Sequence, residues 1–126
     1  MPAIDLSPTP DSVARARRWS IEVLGGLDAA ELADTLALLV SELVSNVVLH
    51  ARTACTLTIE DHADRLRVEV RDGSDRLPGL AARADPLAQS GRGMLLVDGL
   101  SDGHGVEPLP GGGKLIWFEL RRPEAA

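Results

Sequence analysis

Glu42, Asn46 and His50 stand four residues apart inside one apolar run, Leu36 to Ala51. On a helix of about 3.6 residues per turn, each four-residue step drifts by only about 40°. The three polar groups therefore form one stripe. Leu39, Leu43 and Val47 flank it on one side, and Val40, Val44 and Val48 lie beyond. A carboxylate and an amide among such neighbours are costly to bury unless something binds them. Glu42 can accept a proton from a nucleophile. The neutral oxygen of Asn46 can ligate Mg²⁺ alongside phosphates and water. His50 reads either as a histidine near the carbonyl end of a helix or as a phosphate contact.

Two further places carry chemistry. Leu66, Val68 and Val70 alternate with Arg65, Arg67, Glu69 and Arg71, and Asp72 continues the apolar phase. Asp72 therefore points to the covered face at the strand's end. It is an acceptor suited to an exocyclic amine, as adenine has, and a poor match to the guanine O6. Gly73 beside it lets a base approach the backbone closely. Gly91-Arg92-Gly93 then opens a short helix, Met94 to about Leu100. Free N–H groups and the helix dipole favour an anion such as phosphate there. Each piece also has an ordinary reading: a chance glycine pair, a strand-end turn, an internal hydrogen-bond anchor. The order and separation of all three favour a nucleotide site.

These groups need elements to hold them. Ala3 to Leu6 reads as a short edge strand. Thr9-Pro10-Asp11 reads as a helix start, with Thr9 capping and Pro10 in the first helical position. That helix runs to about Leu24, and Gly25-Gly26 ends it. Asp28-Ala29-Ala30-Glu31 has the shape of a capping box, opening a second, buried helix that runs to about His50. The period then switches to two: Cys55, Leu57 and Ile59 alternate with Thr56, Thr58 and Glu60. His62-Ala63-Asp64 turns the chain into the Leu66–Val70 strand. Arg76 to Ser90 reads as a loop. Val106 to Leu109 and Leu115 to Leu120 form a last hairpin through Pro110-Gly111-Gly112-Gly113. The order predicts an α+β sandwich, one mixed but mainly antiparallel sheet covered on one face by helices.

Composition narrows the function. The chain has 126 residues and reads as a single domain, 1–126. Its net charge is −6 and its arginines are scattered, which argues against direct nucleic-acid binding. Arg15, Arg17 and Arg18 cluster near the start, as a solvated helix face or a patch for an acidic partner. Cys55 is the lone cysteine, so no internal disulfide can form; its phase makes it a buried apolar residue. Apolar stretches are short and interrupted, so no membrane association and a cytoplasmic location are expected. His50, His62 and His104 lie too far apart to suggest zinc. Gly113-Lys114 is not a phosphate loop, because no Ser or Thr follows.

The run Glu42-Leu43-Val44-Ser45-Asn46-Val47-Val48-Leu49-His50-Ala51 resembles the N-box of the GHKL ATPases, the Bergerat fold. Asp72-Gly73-Ser74 resembles their Asp-Gly box, and Gly91-Arg92-Gly93-Met94-Leu95-Leu96 their second glycine box. The short length and the His-Ala ending of the first box are most similar to the anti-sigma-factor serine kinases. The resemblance spans Ala3 to Leu120. It implies binding of ATP with Mg²⁺, capture of a sigma factor, and phosphorylation of a serine on an anti-anti-sigma partner of the STAS type. A homodimer is left open. By the resemblance Glu42 is the catalytic base, Asn46 the magnesium ligand, and Asp72 with Gly73 the holder of the adenine amine. Gly91, Arg92, Gly93 and Met94 wrap the phosphates, with Leu95 in the same site, and Arg76 to Ser90 is the ATP lid. The chain departs from the pattern twice. Ser74 and Arg76 replace later glycines of the second box. Lys114 stands where the family often has a Thr that helps hold the adenine side. A non-catalytic ATP- or partner-binding module of the same fold is the rival reading.

Overall fold

The computed structural model describes residues 1–75, 97 and 99–122. Five strands form one sheet: β1 (Ala3–Leu6), β2 (Cys55–Asp61), β3 (Arg65–Asp72), β4 (Gly103–Pro108) and β5 (Lys114–Arg121), in the order β1-β2-β3-β5-β4. Every pairing is antiparallel, so among the described residues the sheet is not mixed. Two helices, α1 (Asp11–Gly26) and α2 (Ala33–Asn46), pack on one face. This is the expected α+β architecture.

The core lies between helices and sheet. Alternation supplies the sheet's half: Leu57 and Ile59 from β2, Leu66, Val68 and Val70 from β3, and Ile116, Phe118 and Leu120 from β5 are all buried. Leu36, Leu39, Val40, Leu43 and Val44 of α2 supply the other half. The helical run Ala30–Ala51 is long and apolar enough to cross a membrane by length and composition, contrary to the expectation of short interrupted stretches. Part of its apolar surface packs into the core, while Leu38 and Leu49 are exposed.

Helix ends depart from expectation. Pro10 is the cap position of α1, and no side-chain hydrogen bond caps it. Instead the Ser12 amide bonds the Thr9 carbonyl at 3.0 Å, and the Ser12 hydroxyl donates to the Ser7 carbonyl at 2.6 Å. Gly25 and Gly26 do not stop the helix; they are its last residues. The chain turns at Asp28, which takes a left-handed conformation with φ 57°. Asp28 therefore serves as the helix terminator and not as a capping box. A short 3₁₀ turn, Ala30–Leu32, leads into α2 without a side-chain cap.

The second helix also ends differently. Regular α-helix stops at Asn46, and a π-helical turn continues it over Val47–Ala51. The Arg52 amide closes that turn on the Val47 carbonyl at 2.7 Å, with Arg52 in left-handed conformation. Such turns are rare and often lie at functional sites.

The last hairpin is longer than the alternation suggested. β4 begins at Gly103 rather than Val106, and β5 begins at Lys114 rather than Leu115. Gly105 pairs with Trp117, and a Cβ on Gly105 would stand 2.6 Å from the indole Nε1. Glycine here makes room for the indole, which is why the strand reads as a loop.

Candidate functional site

Asp72, Cys55 and Lys114 form one row across three strands at the same end of the sheet. Cys55 and Asp72 are register partners, as are Asp72 and Lys114. All three continue the phases of buried core residues, so their side chains face the helix layer. The turn after β4 locks this end. Gly113 has φ +85°, and a Cβ there would overlap the Asp72 carbonyl oxygen. The Gly113 amide donates to Asp75 Oδ1 at 2.8 Å, tying the turn to the segment after β3. Only glycine allows that approach.

Asp72 is 6% exposed and Lys114 4%. Asp72 Oδ1 accepts from Lys114 Nζ at 3.0 Å and from the Ser74 amide at 2.8 Å. Asp72 Oδ2 is buried with no hydrogen-bond partner among the described residues. The carboxylate is thus half satisfied. Gly73 donates its amide to Thr53 Oγ1 at 2.9 Å. The nearest neighbours of a Cβ on Gly73 would be atoms of the Thr53 side chain, at 3.6 Å and beyond, which is ordinary contact. Among the described residues, packing does not demand glycine at 73, and close approach by a ligand would.

Asn46 closes α2 at the junction with the π turn. It is 7% exposed, and neither its Oδ1 nor its Nδ2 has a partner among the described residues. Buried amides are almost always paired, and an unpaired one costs about 1–3 kcal/mol. Glu42 lies one turn earlier on α2 and is half-buried. His50 falls in the π turn and is exposed, so the widened turn takes it off the buried stripe.

The Cys55 thiol is pushed up to about 11, first by burial and then by the carboxylates of Asp72 and Asp5. It is a buried apolar residue, as its phase implied, and not a nucleophile. No cluster of three or more His, Cys, Asp or Glu able to hold a metal occurs among the described residues. A divalent ion would therefore depend on Asn46 together with oxygens of a bound ligand, and the orphaned Asn46 amide fits that role.

Three of the expected site residues thus have unmet polar capacity or unexplained space: Asn46, Asp72 and Gly73. Gly91, Arg92, Gly93, Met94 and Leu95, and the Arg76–Ser90 loop, lie outside the described residues. Lys114 is the residue that sequence reading left unassigned. Its signal was available: Lys114 is in phase with Ile116, Phe118 and Leu120.

A two-layer α+β fold offers an orphaned amide and a half-satisfied carboxylate on its helix face at one sheet end, polar groups that a ligand could satisfy. The family model of the histidine kinase-like ATPase domain matches residues 6–119. The chain belongs to that family. No curated protein matches it. Among solved structures it is similar to the histidine kinase domain of a blue-light activated histidine kinase from Erythrobacter litoralis, with a TM-score of 0.52 and 23% identity. That match covers 86% of this chain and 59% of the other, so the chain spans under two thirds of that relative, and the likeness carries the fold alone.

Proposed function

We propose that the chain binds ATP with Mg²⁺ and acts as a serine kinase that binds a sigma factor and phosphorylates a serine of an anti-anti-sigma partner. The observation that carries the nucleotide reading is the Asn46 amide, buried at the end of α2 with both polar atoms unpaired among the described residues. The family match supports a nucleotide as the missing partner. The regulatory setting rests on the first-box resemblance.

Bound Mg²⁺ would neutralise charge on the phosphates. The chain's own residues do the rest. Asn46 would supply a neutral oxygen to the metal. Asp72 Oδ2 accepts from the base amine, and Gly73 leaves space for the ring. Glu42, one turn before Asn46, takes the proton of the incoming serine hydroxyl. The phosphoryl oxygen bond then forms as the bond to the leaving nucleotide breaks.

The test joins calorimetry to a transfer assay. The chain should bind Mg-ATP. It should transfer labelled phosphate to the serine of a STAS-type partner encoded in the same genome. Glu42→Gln should bind Mg-ATP normally yet transfer at least about 10²-fold more slowly, the low end for a general base. Binding without transfer to any serine partner would replace the kinase by a non-catalytic module. Transfer at an unchanged rate in Glu42→Gln would place the base elsewhere.

A further inference from the structure

We propose that Lys114 turns the base-recognising carboxylate into a paired donor and acceptor, so that the site accepts 6-oxopurine nucleotides as well as adenine nucleotides. The inference rests on the nucleotide reading above and specifies its substrate class.

The geometry leaves Asp72 one free acceptor. Oδ1 is occupied by the Ser74 amide at 2.8 Å and by Lys114 Nζ at 3.0 Å, and Oδ2 has no partner among the described residues. The ammonium has three donors. Among the described residues only Asp72 takes one of them. Among the described residues, a buried acceptor with nothing to accept therefore sits beside a cation with donors to spare. The register of β3 and β5 enforces the pairing, and the glycine turn before Lys114 holds that end of β5 against Asp72.

A lone buried carboxylate selects adenine by repulsion as much as by attraction. It accepts the N6 amine, and it faces the O6 carbonyl of guanine or hypoxanthine with like lone pairs. Specificity of this kind depends on leaving the wrong ligand's polar groups unpaired or opposed. Lys114 removes the opposed contact. Adenine offers a donor at N6 beside an acceptor at N1, so N6–H meets Oδ2 and N1 accepts from Nζ. A 6-oxopurine offers a donor at N1 beside an acceptor at O6, so N1–H meets Oδ2 and O6 accepts from Nζ. With Nζ held on Oδ1 at 3.0 Å, the base and not the ammonium must shift to exchange one pairing for the other. A threonine at this position would carry no charge to offset the carboxylate and could not reach as far.

Calorimetric titration of the chain with Mg-ATP, Mg-GTP and Mg-ITP tests this. The three dissociation constants should fall within about tenfold of one another, where a site that opposes O6 would discriminate by about 100-fold or more. Lys114→Gln removes the cation and keeps most of the length. It should raise the preference for ATP over GTP and ITP to at least about 100-fold. The three constants of the unmutated chain are decisive even if this variant does not fold. Tight ATP binding with GTP and ITP rejected about 100-fold overturns the proposal and leaves the ATP reading standing. An unchanged ratio in folded Lys114→Gln also overturns it. Failure of all three nucleotides to bind overturns the nucleotide reading and the proposal together.

Discussion

On the face of the sheet turned away from the helices, Arg65 and Arg67 reach Glu119, Arg67 and Arg71 reach Glu69, and the Arg67 guanidinium lies 4.3 Å from the Trp117 ring centre. On the helix-facing side, Asp72 and Lys114 make a single ion pair, and the amide of Asn46 and one oxygen of Asp72 find no partner among the described residues. Both regions are built on the same strands, β3 and β5. The outer lattice runs from the buried Glu69 to the exposed Arg71, and its charges are mutually paired; only the Thr58 hydroxyl beneath it is buried without a partner among the described residues. The inner end is dry and incomplete. A half-satisfied buried polar group is among the most expensive things a fold can carry. Its persistence at one sheet end separates a surface whose charges satisfy one another from one whose polar groups are left open among the described residues.

The comparison predicts unequal costs of breaking each ion pair. Asp72→Ala leaves the Lys114 ammonium buried without a counter-charge, which should cost about 3–5 kcal/mol. Arg67→Ala removes a partly exposed arginine from a network with other partners, and should cost about 1 kcal/mol or less. Urea denaturation followed by circular dichroism gives both values. Were Arg67→Ala the costlier of the two, the inner pair would not be the dry one.

A second prediction sharpens the contrast between stability and function. Asn46→Leu keeps the shape of the side chain and deletes two unpaired polar atoms. It should leave stability within about 1 kcal/mol, or raise it, because the side chain makes no hydrogen bond among the described residues. The same change should remove the magnesium dependence of nucleotide binding. Thermal melts and titration with and without Mg²⁺ read the two effects separately. A large fall in melting temperature would make Asn46 a structural anchor, and the inner end would then resemble the outer one.

The inner end was partly legible because its residues obey the rules of the core. Asp72 is found by continuing the alternation of Leu66, Val68 and Val70, and Asn46 by its place on an apolar helix. Lys114 obeys the same alternation from β5, but a charged residue after a glycine turn reads as loop until the register sets it opposite Asp72. β4 was illegible at its start for a related reason. Gly103 and Gly105 look like turn residues, and the Trp117 ring that makes glycine necessary at 105 is remote in sequence. The π turn after Asn46 left no signal at all: Val47 to Ala51 suit an ordinary helix, and the wider winding depends on how the chain leaves α2. The Thr9 cap and the Asp28 box failed because local motifs compete with backbone alternatives, the Ser12 hydroxyl to Ser7 in one case and the left-handed turn in the other.

The effect confined to alkaline pH concerns Cys55, the third member of the inner row. Its thiol is raised from 9.0 to about 11, mainly by burial and then by the nearby Asp72 and Asp5 carboxylates. In the unfolded chain the thiol releases its proton near 9.0, and in the folded chain it keeps it until about 11. Between those values the folded state binds more protons than the unfolded state, so stability falls as pH rises. The contribution is fully present below pH 9.0 and is lost on passing through about 11. Cys55→Ala should therefore flatten the alkaline limb of stability against pH, apart from a constant offset for the missing sulfur. Other groups titrate there too, so the difference between the two proteins is the quantity to read. Denaturation at stepped pH from neutral to alkaline supplies it. Alkylation by iodoacetamide near neutral pH should also be far slower in the folded chain than in urea. Equal slopes in the two proteins, or a thiol that reacts folded as fast as unfolded, would show that water reaches this row, and the incomplete hydrogen bonding of Asp72 would then need no ligand to explain it.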